Sequence, residues 1–364
     1  LKFPSFFNPE GRFVRDVSII CYKSFASSFV DPSRKSADDL IFGDCLSGTG
    51  ARGIRVANEA LEFRRVFLND ISPVSIELAK LSARENKVEE KCVFSNKEAG
   101  AFLSARVENA GERFDALDLD PFGTPSPFVD EALKATKHHG ILSVSATDTA
   151  VLCGVYPSVA LRKYLGLPLR TDYSHEVGIR LMFGLLSFTA MRCEAGIRPL
   201  FAHHDKHYFR TYTLVEIGNN YSRQNEAEIG YVLHCFKCGS RRMVSRSDFF
   251  EDLAPRLHCT DCDNAAMKIG GPLWIGKIQS GEFVQKCSQL SDLPVFNEEM
   301  DLPLYYDLSK LTDELGTSTP KIASVISKLR SIGHSASRTR LNPKAVRTDA
   351  PLRELRRILV ELVR

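Results

Sequence analysis

The feature that most constrains this chain is an apolar run that ends in a carboxylate and then breaks into glycines. Leu40-Ile41-Phe42-Gly43-Asp44 reads as a short buried strand. Gly48-Thr49-Gly50-Ala51-Arg52-Gly53 follows, and helix-like sequence runs from about Ala51 to Glu62. Strand, glycine turn and helix in that order make the first unit of a doubly wound sheet. Glycines let the backbone approach a ligand, and an acid about twenty residues further on, here Asp70, binds ribose hydroxyls. NAD enzymes and S-adenosylmethionine enzymes share this arrangement, so the motif alone does not separate them. A glycine turn without a ligand is the plainer alternative, but Arg52 and Arg55 beside the turn suit an anionic neighbour.

The alternation continues. Arg65 to Leu68 is a second strand, closed by Asn69-Asp70. Ser72-Pro73 supplies an N-cap and a first-turn proline for a helix to about Asn86. Cys92 to Phe94 and Phe114 to Leu119 are further strands, Pro127 to His138 a helix, and Gly140 to Ser145 a fifth strand. A long helix is predicted over Glu176 to Glu194. Pro199 to His203 and Tyr208 to Ile217 are strand-like and so close together that they must pair as an antiparallel hairpin. The expected fold is α/β: a Rossmann-like sheet of the class I methyltransferase or dehydrogenase kind, with an antiparallel terminal hairpin. Asn219 to Glu228 is polar and reads as a linker. Beyond Leu293 helices are predicted after Thr319-Pro320 and along Leu352, Leu355, Leu359 and Leu362.

At 364 residues, with 43% hydrophobic and 26% charged residues, the composition is ordinary for a globular chain and excludes disorder, collagen and coiled coil. The longest uncharged apolar stretch, Leu181 to Met191, is too short to span a membrane, and the first residues do not resemble a signal peptide. Net charge is only +3, yet from Lys321 to Arg364 eleven Lys and Arg face Asp349, Glu354 and Glu361, a local net of +8. Such asymmetry suggests a polyanion partner, with a solvated helix face as the alternative. Ten cysteines, six of them scattered and several inside apolar runs, point to a reduced protein with buried thiols.

A second motif bears on the choice of cofactor. The fourth strand runs into Asp118-Leu119-Asp120-Pro121-Phe122-Gly123-Thr124-Pro125. In a doubly wound sheet these strand ends face the ligand crevice. A carboxylate and an aromatic ring placed there suit methylation of an exocyclic amine. The acid accepts a hydrogen bond from the amine, a backbone carbonyl takes the other hydrogen, and the ring stacks on the base. The segment is similar to the [D/N/S]-P-P-[Y/F/W] signature of amino-methyltransferases, with Phe122 where the second proline would stand.

With Phe6-Phe7-Asn8-Pro9, Arg15-Asp16, Ala146-Thr147-Asp148, His175-Glu176-Val177-Gly178, Ser337-Arg338-Thr339 and Leu341-Asn342-Pro343-Lys344, the chain resembles the tRNA (guanine-N2)-dimethyltransferase family over nearly its whole length. The resemblance implies methyl transfer from S-adenosylmethionine to guanine 26 of tRNA, once or twice. It implies Asp120 as catalytic carboxylate and Arg15, Arg52, Asp70, Glu98, Ala99 and Gly48 around the cofactor. Pro121, Phe122 and Phe6 would contact the base, the two phenylalanines by stacking. Val14 departs from the family, which commonly has Asn there. An NAD-dependent oxidoreductase and a non-catalytic zinc RNA-binding protein are the competing readings.

The third motif is Cys235-x2-Cys238-x20-Cys259-x2-Cys262. Two CxxC knuckles at this separation can close one tetrahedral site with four thiolates and no open position, hence structural zinc. A redox pair or an iron–sulfur centre fits the regular double pairing and ribbon-like flanks less well. His203, His204 and His207, at the hairpin turn, are expected to be solvated or RNA-facing rather than metal ligands. The expected division is a Rossmann-like class I methyltransferase domain over 1–220, a zinc-ribbon-like, zinc-binding segment over 228–287 and a small basic helical, winged-helix-like tRNA-binding region over 293–364, in which Arg338, Arg340, Lys344 and Arg347 would meet phosphates. Location should be cytoplasmic, or nuclear or mitochondrial in a eukaryote, with no obligate protein partner.

Overall fold

Seven strands form the central sheet in the order β3-β2-β1-β4-β5-β7-β6. They are β1 (Leu40–Asp44), β2 (Phe63–Asn69), β3 (Cys92–Ser95), β4 (Phe114–Leu119), β5 (Thr136–Ala146), β6 (Ala195–Asp205) and β7 (Tyr208–Ile217). The computed structural model describes residues 8–29, 39–108, 112–251, 257–263, 267–297 and 299–363. β1 to β5 pair in parallel, while β7 runs antiparallel to both β5 and β6. This is the expected α/β architecture, and the sheet order reverses between β1 and β4. The central strands are continuously apolar because helices cover both faces: every residue of β1 and of β4 is buried.

The helices of this part are α1 (Arg12–Ser28), α2 (Gly53–Glu59), α3 (Pro73–Glu85), α4 (Ala99–Glu108), α5 (Val129–Ala135), α6 (Thr149–Leu152), α7 (Pro157–Tyr164) and α8 (Ser174–Met191). Ser72 caps α3 by accepting from the Ser75 amide at 3.3 Å, with Pro73 in the first turn. α8 is buried almost all round, from Glu176 to Ala190. It packs against β6 and also against the strand Lys268–Trp274 of the next sheet.

Two differences from the sequence reading stand out. Residues 219–227 form a helix, α9 (Asn219–Ala227), not a linker, and it lies against β6 and α8. It was hidden because it is polar throughout; its one buried side chain, Asn225, accepts from the Ile197 amide at 2.7 Å and donates to the Ile197 carbonyl at 2.9 Å. The helix expected to reach His138 stops at Ala135, and β5 starts at Thr136 with a polar, irregular segment in which His139 has φ +57°. Residue 220 lies within α9 and residue 287 within the helix Gly281–Leu290, which packs on α1.

A second, three-stranded antiparallel sheet carries the cysteines: β8 (Ile229–His234) lies between β9 (Arg241–Ser245) and β10 (Lys268–Trp274). A third sheet joins β11 (Tyr306–Asp307), β12 (Ala336–Arg338) and β13 (Ala345–Thr348), with helices Leu308–Glu314, Ile322–Ser331 and Leu352–Glu361 around it. The last helix buries Leu352, Leu355, Ile358 and Leu359 against Val325, Leu329 and Val346. The main core runs across these sheets: Ile229, Val232 and Trp274, then Tyr305 and Leu341, continue the apolar cluster of α8. No helix among the described residues is long and apolar enough to cross a membrane.

Candidate active site

The glycine turn after β1 is tied to the end of β2. Gly48, at φ +53°, donates its amide to Asp70 Oδ2 at 2.9 Å, and Asp70 Oδ1 accepts from the Ser72 amide at 2.8 Å. The Asp70 carboxylate is thereby fixed in orientation while further lone pairs remain for a ligand. Gly50, at φ +78°, leaves no room for a side chain: a Cβ there would come within 2.9 Å of both Ile54 and Leu68. The turn is therefore pressed onto β2, as a close backbone approach to a ligand demands.

At the end of β3, Glu98 is exposed and accepts from the Ala101 amide at 3.0 Å, and Ala99 beside it is buried. Arg15, half-buried on the first turns of α1, donates to the Asn8 carbonyl at 3.1 Å. Burial, with Arg52 and Arg55 nearby, holds its guanidinium below the usual arginine range, against the pull of Asp16 and Asp120.

Beneath the edge lies a network that the sequence did not suggest. Asp118 is fully buried and accepts from Tyr22 at 2.5 Å, from Arg52 Nη1 at 2.8 Å and from Arg210, which starts β7. Arg52 then reaches with its other nitrogen to Asp120 Oδ2 at 2.7 Å. Asp44 is buried too and accepts from the Gly53 amide at 3.2 Å. Burial and the charge of Asp118 push its carboxyl up to about 7. For Asp120, burial would raise the pKa, but Arg52, Arg210 and a hydrogen bond from Ser145 overcome it and hold the group at about 2. Asp120 is therefore ionised at any physiological pH. Its side chain keeps 32% of its exposure while Asp118 keeps none. The one signal in the sequence for Arg210 was a charge near the start of a strand rich in apolar and aromatic residues.

Past Asp120 the chain turns outward. Pro121 is buried, and Phe122 stands 75% exposed. Gly123, at φ +77°, is clamped to the end of β5: its amide donates to Thr147 Oγ1 at 2.7 Å, and the Thr147 amide donates to its carbonyl at 2.8 Å. The structure thus brings Gly48, Arg52, Asp70, Glu98, Ala99, Asp120, Pro121 and Phe122 to the carboxyl ends of the parallel strands, with Arg15 beside them. Phe6 lies outside the described residues.

The four paired cysteines converge. All their sulfurs lie within 4.8 Å of one another, with Cys235 to Cys262 and Cys238 to Cys259 both at 3.6 Å. A tetrahedron with zinc–sulfur bonds of about 2.3 Å has sulfur–sulfur edges of about 3.8 Å, so the donor set fits one zinc ion. No disulfide forms.

Two expectations are corrected. His203 is not solvated: it is buried among the rings of Phe13, Phe201, Tyr208 and Tyr212, and burial with Arg210 and Arg340 nearby drives its pKa well down. His204 stacks on His175 at 3.9 Å, leaving only His207 of the three exposed. Nor do Arg340 and Arg347 face solvent. Arg347 pairs with Glu176 at 2.6 Å and with Glu299, and Arg340 with Glu299 at 3.1 Å, all deeply buried. Arg338 and Lys344 are the exposed members of that group.

The family model described as N2,N2-dimethylguanosine tRNA methyltransferase matches residues 2–360. The tRNA (guanine(26)-N(2))-dimethyltransferase of Methanothermobacter thermautotrophicus is 33% identical over 99% of this chain and 93% of its own length. That of Thermococcus kodakarensis is 35% identical over 96% of this chain and 91% of its own. Among solved structures, Trm1 from Pyrococcus horikoshii in complex with S-adenosyl-L-methionine superposes with a TM-score of 0.82 at 29% identity, covering 99% of this chain and 95% of that one. The oxidoreductase and non-catalytic readings find no support in these matches.

Proposed function

The chain belongs to the N2,N2-dimethylguanosine tRNA methyltransferase family, and from that premise we propose that Asp120 is the carboxylate that receives the guanine amine. The enzyme is an S-adenosylmethionine-dependent methyltransferase that transfers one or two methyl groups to N2 of guanine 26 in tRNA. The observation that carries the assignment of Asp120 is its combination of an ionised state, partial exposure and an exposed aromatic ring two residues away.

The exocyclic nitrogen of guanine is a weak nucleophile because its lone pair is delocalised into the base. As the methyl leaves sulfur, the sulfonium becomes a neutral thioether and N2 gains positive charge. A carboxylate beside N2 stabilises that charge and orients the amine. The N2 proton is acidified as the methyl arrives, so a carboxylate with a pKa near 2 is base enough. A base within tRNA must leave its stack first, at a cost of a few kcal/mol. Phe122 recovers roughly 1–3 kcal/mol by stacking, with Phe6 assigned the same task and Pro121 shaping the loop.

Asp70, fixed by Gly48 and Ser72, takes the ribose. Glu98 and Ala99 flank the adenine, and Arg15 and Arg52 are assigned to holding S-adenosylmethionine, Arg52 from its place between Asp118 and Asp120. The three-part division at 1–220, 228–287 and 293–364 is carried into this reading, with one structural zinc on the four thiols, a basic region that docks tRNA, and a cytoplasmic location. Incubation with labelled S-adenosylmethionine and unmodified tRNA, followed by nucleoside analysis, tests the reaction. Label in N2-methylated guanosine is expected in the wild type. The same label at wild-type rate in Asp120→Ala would refute the active-site assignment.

A further inference from the structure

A groove of about 510 Å³ opens where three parts of the chain meet. One wall is the knuckle between β8 and β9, the second is the chain from Cys153 to Ser174, and the third is the helix Leu308–Glu314. The groove lies a few residues along the chain from the strand edge: Thr147 clamps the Asp120-Pro121-Phe122-Gly123 loop, α6 (Thr149–Leu152) begins two residues later, and Cys153, which caps its end, lines the groove.

Its charges are unequally committed. Asp172 is consumed by Arg241, which donates to both its oxygens at 2.8 and 3.0 Å while lying between the rings of Tyr173 and Tyr306. Glu314 is paired with Arg356 at 2.7 Å. Arg170, Lys237 and Lys310 are exposed, come from the three different walls, and make no ion pair among the described residues. Phe236, next to Lys237, is 57% exposed. The lining acids are neutralised within the protein, three cations are left for something else, and Phe236, whose ring meets that of His234 nearly at right angles at 4.4 Å, keeps more than half of its surface open.

We propose that this groove docks a stretch of tRNA backbone next to the nucleotide being methylated, with Arg170, Lys237 and Lys310 on phosphates and Phe236 stacked on an unpaired base. The proposal rests on the reading of the protein as a tRNA methyltransferase. Cations from three separate walls suit a ligand with repeated negative charge, and the ring suits a base, as in other sequence-tolerant nucleic-acid grooves. The zinc knuckle then has a task beyond local folding: it holds Phe236 and Lys237 rigidly at the rim, each within a residue or two of a cysteine.

The test measures tRNA binding by the full chain across a range of salt concentrations. The triple variant R170A/K237A/K310A should bind unmodified tRNA about 10- to 100-fold more weakly near physiological salt. Its log–log salt dependence should be shallower by about 2 to 3, the loss expected for three phosphate contacts. Affinity for S-adenosylmethionine and zinc content should stay at wild-type values. Phe236→Ala should weaken binding about tenfold with the salt slope unchanged, since a stacking contact releases no counterions. Should the triple variant lose zinc or fail to fold, Lys310→Glu, on a helix away from the cysteines, decides the matter with an expected loss of at least about tenfold. Wild-type affinity and slope in the foldable variant, from an enzyme that still methylates tRNA, would overturn the groove and leave the reaction standing. A wild-type protein that methylates no tRNA would overturn the reaction itself.

Discussion

Two clusters of buried carboxylates and guanidiniums in this molecule use the same residue types for different ends. Under the catalytic edge, Asp44, Asp118 and Asp120 share Arg52 and Arg210. Between α8 and the last third of the chain, Glu176 and Glu299 share Arg180, Arg340 and Arg347. The first lets one member, Asp120, reach the surface as an ionised carboxylate. The second is sealed around Glu176, which is held at about 2 despite burial, by Arg347 and Arg180 and by the Leu304 amide. An exposed carboxylate suits a reaction in which positive charge moves from sulfur to nitrogen. An enclosed one, paired on both sides, holds the fold together.

The largest effect that could break this contrast is at Asp120. Asp120→Ala should lower the single-turnover methylation rate by about 10²–10⁴-fold with S-adenosylmethionine binding nearly intact. Asp120→Asn keeps an acceptor and loses the charge, so it should be nearly as slow. A fast Asn variant would mean that orientation, not charge, sets the rate. In the sealed cluster the order reverses. Glu176→Gln leaves Arg180 without its carboxylate and Arg347 with only Glu299, and should cost about 3–5 kcal/mol of stability, read from denaturant midpoints. The rate per folded molecule should hold, and a large specific loss in rate would erase the distinction.

Asp70 sharpens the comparison within the site. Asp70→Ala should weaken S-adenosylmethionine binding by roughly 1.5–3 kcal/mol, the worth of hydrogen bonds to a charged group, measurable by calorimetry. The rate at saturating cofactor should change much less. The smallest effect is on stability against pH. Asp44 has its carboxyl raised from 3.8 to about 7 by burial and by Asp118. Between those values the folded chain keeps the proton that the unfolded chain has lost. Stability therefore falls as pH rises from about 4 to about 7, then levels off. Asp44→Asn still accepts from Gly53 and escapes that fall, so its Tm advantage should grow by a few degrees across the window. Parallel Tm curves would show that Asp44 ionises with the other carboxylates.

How much of this was legible in the sequence depended on whether local pattern or distant partners decided the outcome. β1, β4 and the hairpin were legible because buried parallel strands are continuous apolar runs and short connections force antiparallel pairing. The cysteines were legible because their spacing is itself the geometry. α9 was not, since a helix polar on all faces has no periodicity to read. Arg347 was misread for a related reason: a charge looks like surface until its partner is known, and Glu176 lies 171 residues earlier. Arg210 was missed likewise, because nothing near it in sequence announces Asp118. The place of Phe122 and Asp120 at the strand edge was legible only through a motif whose chemistry was already understood.

The pairing of Arg347 with Glu176 bears on how the protein is made. Glu176 leaves the ribosome long before Arg347, and its carboxylate is fully enclosed in the finished molecule. Until the last strand of the third sheet arrives, α8 carries a buried acid short of one of its two guanidinium partners, a state that costs several kcal/mol. The catalytic sheet is thus held back from its final stability until translation is nearly done. A chain ending before Arg347 should unfold at lower denaturant than the full chain, because Glu176 then lacks one of its two guanidinium partners.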